Sequence, residues 1–260
     1  MPGPTQTMNT KFRRPMPWTR REFLAAGAGT LLGCLGPDDT ITGPRLSVRP
    51  KSTTMALAAG TVRPEIGDTA MVVYTPTTAL ARSPVPVMVF LHGALRTVET
   101  FVDGHKALAD QHGVVVAAPY AVQGTWDAMV TGFGRDVKAL DRCFEWLFDR
   151  VPVSSERLTL SGFSDGATYT LGLGRANGDL FSRLVAYSPG GLLDVAPVGK
   201  PPILVSHGRE DAVLPYAVSS DVVVPALRGA GYQVDLISFT GGHAVYLPAV
   251  EQAMAALGAA

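Results

Sequence analysis

Cysteine is nearly absent from this chain, with only Cys34 and Cys143 among 260 residues. Cys34 falls in a leader-like segment and Cys143 in a helical pattern, so no intramolecular disulfide is expected. Net charge is absent as well. Lys+Arg and Asp+Glu number 22 each, and no basic run interrupts the body of the chain, which removes the electrostatic footprint of a nucleic-acid or anionic-membrane binder. The apolar stretch near the N-terminus, residues 23 to 33, is 11 residues long, too few to span a bilayer. No internal repeat is visible. What the chain does have is apolar mass. At 27.4 kDa, 47% hydrophobic and 17% charged, it suits one large α/β domain and is too apolar to be disordered.

The first thirty-odd residues have the parts of an export signal: Lys11, Arg13, Arg14, Arg20 and Arg21 precede that short apolar stretch. Thr19-Arg20-Arg21-Glu22-Phe23-Leu24 resembles a twin-arginine signal, whose pathway exports folded proteins. Leu31-Leu32-Gly33-Cys34 resembles a bacterial lipobox, which implies cleavage before Cys34 and lipidation of its thiol. The division expected is a signal over 1–33, a tether over 34–67 with an edge strand near Arg45 to Arg49, and a catalytic domain over 68–260. An exported, lipid-anchored protein would follow, touching the membrane only through Cys34.

After the tether, short β-branched runs alternate with stretches of helical period. Strands are expected at Ala70–Tyr74, Val85–Leu91, Val114–Ala118, Leu158–Ser161, Leu184–Tyr187, Ile203–Ser206 and Val234–Phe239. Several are apolar on consecutive residues, as strands covered on both faces must be. Helices fit Val98–Gln111, Asp136–Asp149, Asp165–Ala176, Val218–Arg228 and Leu247–Leu257. In the second, Val137, Leu140, Phe144, Leu147 and Phe148 form the apolar stripe and Asp136 lies off it. The alternation predicts a mostly parallel sheet with helices on both faces. Ligands bind such sheets beyond the carboxyl ends of the strands, so the residues just after each strand are the ones to examine.

One of those places reads Ser161-Gly162-Phe163-Ser164-Asp165-Gly166. With 28 glycines in the chain, a chance G-x-S-x-G occurs in roughly one chain in seven of this composition, so the pentapeptide alone is weak. Its context is stronger, because a strand enters and a helix leaves. Such a corner exposes a nucleophile in a strained conformation between small neighbours, with helix N–H groups aimed where an oxyanion forms. A serine nucleophile needs a histidine to take its proton and a carboxylate to hold that histidine. His92, His207 and His243 each follow a strand; His105 and His112 fall in a helix. Two N–H donors for an oxyanion would come from Asp165, beside the serine, and from Ala94 in Leu91-His92-Gly93-Ala94-Leu95, where Gly93 permits close backbone approach.

These pieces in this order resemble the phospholipase/carboxylesterase branch of the α/β-hydrolase superfamily, near polyhydroxybutyrate-depolymerase and feruloyl-esterase relatives. The likeness covers roughly Arg45 to Leu257 and includes Thr125-Trp126-Asp127, Val153-Ser154-Ser155-Glu156-Arg157 and Ala176-Asn177-Gly178-Asp179-Leu180-Phe181. Beyond His-Gly-x the family often has another small residue, where this chain has Leu95-Arg96. The family's chain order of serine, acid, histidine implies Ser164, Asp211 and His243, with Asp211 before a small-Val-x-Pro turn and Glu210 as its local competitor. His207 then shapes that loop. The resemblance further implies an α/β-hydrolase fold and a serine ester hydrolase that needs neither cofactor nor metal. The insertions 120–134 and 189–202 are too short for a cap domain, which predicts an open cleft with Trp126, Phe133, Leu214, Val245 and Tyr246 as apolar walls, suited to short or medium acyl esters. Lysophospholipid or thioester cleavage, feruloyl or polyester hydrolysis, and a catalytically inactive surface binding module on the same fold stay open as alternatives.

Overall fold

The computed structural model describes residues 43–94 and 98–259. Among them are nine strands: β1 (Gly60–Val62), β2 (Glu65–Ile66), β3 (Thr69–Thr75), β4 (Val87–Leu91), β5 (Val115–Pro119), β6 (Leu158–Phe163), β7 (Arg183–Tyr187), β8 (Ile203–Gly208) and β9 (Val234–Phe239). The helices are α1 (Val98–His112), α2 (Arg135–Phe148), α3 (Asp165–Ala176), α4 (Val224–Gly229) and α5 (Leu247–Ala259). Spatial order is β1-β3-β5-β4-β6-β7-β8-β9, with β2 paired to β3 off this path. β1 and β3 run antiparallel to their neighbours, and every pair from β5 and β4 through β9 is parallel. This is the mostly parallel sheet that the alternation predicts.

The consecutive apolar residues have a direct structural reading. Along β4, Val87, Val89 and Leu91 face the core formed with α2, α3 and α4, whereas Met88 and Phe90 face the core formed with α1 and α5. A strand with helices on both faces has no solvent side, so alternation disappears from its sequence. The strand expected from Val85 begins instead at Val87. Pro86 has no N–H for a ladder, and Val85 N–H donates to the carbonyl of Pro152 at 2.7 Å.

Three expectations change. Residues 45–49 form no edge strand; they lie along the domain, where Leu46 N–H donates to Asn177 Oδ1 at 2.9 Å and Asp141 accepts the N–H groups of Ser47 and Val48. The edge strand is β1, and β1 and β2 belong to the sheet, so most of the expected tether is part of the folded domain. Asp136 is 2% exposed rather than solvated. Finally, a single helix over 218–228 is replaced by a π-helical turn, Val218–Val223, leading into α4. Pro225 has no N–H to return to the preceding turn, so the α ladder cannot run unbroken through it. Arg20, Arg21 and Cys34, with the rest of the expected signal, lie outside the described residues, as do Leu95 and Arg96. Among the described residues no helix is long and apolar enough to cross a membrane.

Candidate active site

The corner after β6 is built on two close approaches. A β-carbon on Gly162 would meet the Gly166 carbonyl carbon at 2.5 Å and Thr170 Oγ1 at 2.6 Å, and one on Gly166 would meet the backbone oxygen of His92 at 2.5 Å. Only glycine lets α3 start this near β4 and β6. Between them Ser164 has φ 55° and ψ −117°, a region costly for a residue with a β-carbon. Its N–H donates to Tyr187 O at 2.9 Å, so β7 holds the strained residue in place. The Ser164 side chain stands at the N-terminus of the 12-residue α3, where the helix N–H groups and dipole favour negative charge.

His243, in the loop between β9 and α5, brings Nε2 to 2.9 Å from Ser164 Oγ. Its Nδ1 lies 2.7 Å from Asp211 Oδ2. Asp211, beyond the end of β8, also accepts the N–H groups of Val213 and Leu214 on Oδ1, each at 2.8 Å. Burial works against ionisation of this carboxyl, but the bonds from His243, Leu214 and Val213 outweigh it and hold its pKa below the ordinary value. Glu210, Asp194 and Asp235 are exposed, and no bond joins any of them to a histidine. Ser164, His243 and Asp211 thus form one hydrogen-bonded chain at the carboxyl ends of β6, β8 and β9. The chain has the α/β-hydrolase fold.

Solved structures agree with that fold. The chain resembles esterase PE8 at 21% identity and TM-score 0.58, over 76% of this chain and 98% of that one. It also resembles FphF, a fluorophosphonate-binding serine hydrolase of Staphylococcus aureus, at 14% identity and TM-score 0.62 over 77% and 99%. An acetyl xylan esterase from Aspergillus awamori aligns at 14% identity and TM-score 0.58 over 76% and 100%. No family model and no curated protein sequence matches the chain.

The oxyanion candidates sit beside the serine. Asp165 is the first residue of α3, and its carboxylate accepts from Thr125 Oγ1 at 2.6 Å. On the other side, a β-carbon on Gly93 would lie 3.3 Å from Ser164 Cβ. His92 Nε2 accepts the Ala121 N–H at 2.9 Å, so the ring proton is on Nδ1 and is donated to Gly93 O at 2.6 Å. A trans peptide points its N–H opposite to its C=O. Fixing the Gly93 carbonyl therefore fixes the direction of the Ala94 N–H, a role for His92 that the sequence signals only by placing His-Gly at a strand end.

Two expected cleft walls are instead core residues. Trp126 is fully buried, 5.0 Å from the His92 ring and 5.1 Å from that of Tyr169. Its Nε1–H donates to His92 O at 2.8 Å, so it braces the loop that follows β4. Phe133 is 8% exposed and packs on Tyr169. Leu214 is partly exposed, within 3.5 Å of where a β-carbon on Gly190 would sit, and Gly190 N–H donates to Thr168 Oγ1 one turn after Ser164. Tyr246 stacks on Phe239 with centroids 4.4 Å apart, and Val245 packs, like Tyr246, against the core on the α1 and α5 side. Among the described residues, no group of three or more His, Cys, Asp or Glu is arranged to hold a metal ion.

Proposed function

We propose that the protein is a serine carboxylic-ester hydrolase acting through an acyl-enzyme. The observation that carries this reading is the unbroken chain from Ser164 Oγ through His243 to Asp211 Oδ2, at 2.9 and 2.7 Å, built on a serine in the strained elbow conformation. Ser164 Oγ attacks the ester carbonyl while its proton passes to His243 Nε2. The oxyanion takes hydrogen bonds from the Asp165 and Ala94 N–H groups. Collapse expels the alcohol, which leaves with the proton from Nε2. Water then repeats the sequence, releasing the acid and restoring the serine. Asp211, kept ionised, holds the Nδ1–H tautomer and balances the imidazolium.

The substrate class is short to medium acyl esters. The loop 120–134 contains only a 3-10 turn at Asp127–Met129, and 189–202 contains no regular element, so among the described residues neither insertion supplies a capping helix. The fold-level neighbours include two proteins called esterases and one that binds fluorophosphonate, which favours this reading. The Arg20-Arg21 and Leu31 to Cys34 motifs support export by the twin-arginine route and anchoring through lipidated Cys34. Arg45 and Arg49 both bond to Asp179, so the stretch from residue 45 onward is held on the domain and does not act as a tether.

The test is turnover of p-nitrophenyl esters from acetate to palmitate. Hydrolysis that peaks at the short to medium members supports the proposal, and absence of hydrolysis across the series contradicts it.

A further inference from the structure

His207 is a buried titratable group that the mechanism above leaves unused. It is the penultimate residue of β8, fully buried, and four residues before the acid. Its Nε2 lies 3.0 Å from Asp211 Oδ2, the same oxygen that holds His243, and 2.8 Å from Leu214 O. Both neighbours are acceptors, so Nε2 bears a proton. On the other side of the ring, Nδ1 is 2.7 Å from Ser219 Oγ, the hydroxyl of a buried residue in the π-helical turn. The ring therefore donates from Nε2, and its Nδ1 is paired with the Ser219 hydroxyl.

With His207 included, four N–H groups face Asp211: Val213 and Leu214 on Oδ1, His243 and His207 on Oδ2, the single His207 Nε2–H being shared with Leu214 O. A carboxylate has about four lone-pair sites. Without His207, Oδ2 would have one partner, and that partner is the side chain that changes charge during turnover. With it, the carboxylate plane is fixed from the interior, through a ring that is itself held by Leu214 O and Ser219.

We infer that His207 is a positioning residue for the reaction: it locks the Asp211 carboxylate so that Oδ2 stays aimed at His243 Nδ1 as the imidazolium forms. The inference rests on the proposed triad of Ser164, His243 and Asp211. It goes beyond loop closure, because a residue that only closed the loop would affect stability and leave kcat alone.

The experiment compares the full-length wild type with His207→Leu, which removes both ring nitrogens at similar bulk, and His207→Gln, whose amide N–H2 can reach the place of Nε2–H. Melting temperature, kcat and KM for a p-nitrophenyl ester and fluorophosphonate labelling are measured on all three, well below the lowest melting temperature. The expected result is kcat reduced on the order of ten- to a hundredfold in His207→Leu at unchanged KM, the scale of a lost hydrogen bond to a charged group, with His207→Gln restored to within about fivefold. If His207→Leu does not fold, His207→Gln keeps the test open: near wild-type kcat supports the inference, and a loss as large as that of Asp211→Asn overturns it. Full kcat in a folded His207→Leu overturns the inference while leaving the triad standing. A wild type that neither turns over ester nor labels overturns both.

Discussion

A β-carbon placed on Gly166 would stand 2.5 Å from the backbone oxygen of His92, and nearer still to that of Leu91. The first turn of α3 is thus pressed against the end of β4, and the Ser164 corner and the loop after β4 form one packed unit. Neither obstructing atom belongs to a side chain that can rotate away. Gly166→Ala is expected to destabilise the fold by about 3 kcal/mol or more, at the upper end of overpacking costs, and to abolish ester turnover in whatever fraction folds. Denaturant midpoints and residual activity check this; a stable, active variant would show that α3 can shift without loss.

The acid can be tested by its full set of bonds. Asp211→Asn replaces one acceptor oxygen with an N–H2 group facing two donors, either the two histidines or the two backbone amides. A fall in kcat on the order of 10⁴ is expected, as for triad carboxylate-to-amide changes that leave the wrong tautomer. Glu210→Gln, whose side chain is exposed, is expected to stay within a few fold. The reverse ranking in steady-state kinetics would move the acid to Glu210.

Asp136 offers a prediction in pH. Burial is the largest influence on its carboxyl and, despite hydrogen bonds from the Val122 and Asp127 N–H groups, raises its pKa from the ordinary 3.8 to about 6. The folded state therefore binds this proton more tightly than the unfolded chain. Its stabilising contribution is complete below about pH 4 and disappears as pH rises through 6, a change on the order of 3 kcal/mol at most. Urea unfolding of wild type and Asp136→Asn between pH 4 and 8 measures it. The stability of the wild type relative to the variant should decline over that interval, and parallel curves would refute the shift.

Location is tested at Cys34. Cys34→Ser is expected to release the protein from the membrane fraction without changing its specific activity, and Arg20→Lys with Arg21→Lys to leave it in the cytoplasm. Mass spectrometry of the mature protein should find a lipid-modified Cys34 as its first residue. An unmodified N-terminus elsewhere would make this a secreted enzyme without an anchor.

The strands were legible because burial on both faces leaves continuous apolar runs such as Val87–Leu91, and the corner was legible because it needs glycines at fixed offsets from a serine. Residues in the connecting loops were not. Trp126 sits in an insertion that periodicity cannot read, and its burial depends on a carbonyl, His92 O, 34 residues earlier. Asp136 falls on the polar side of a helical wheel, yet the loop before α2 folds over it to donate two backbone N–H bonds. His207 was readable as a histidine at a strand end, but its place against Asp211 depends on how the loop from Gly208 to Leu214 closes. Sequence spacing marks the residues that an element must carry, whereas these three are fixed by chain segments that return from elsewhere.

In the proposed mechanism Ser164 is a nucleophile activated by His243 and Asp211. Fluorophosphonate labelling of purified wild type and Ser164→Ala, read by intact and peptide mass spectrometry, tests it most directly. The expected result is one phosphonyl adduct per chain on Ser164, no adduct on Ser164→Ala, loss of turnover on the order of 10³ to 10⁶ in that variant, and little change in its melting temperature. An adduct on another serine, or ester turnover retained by Ser164→Ala, would contradict it.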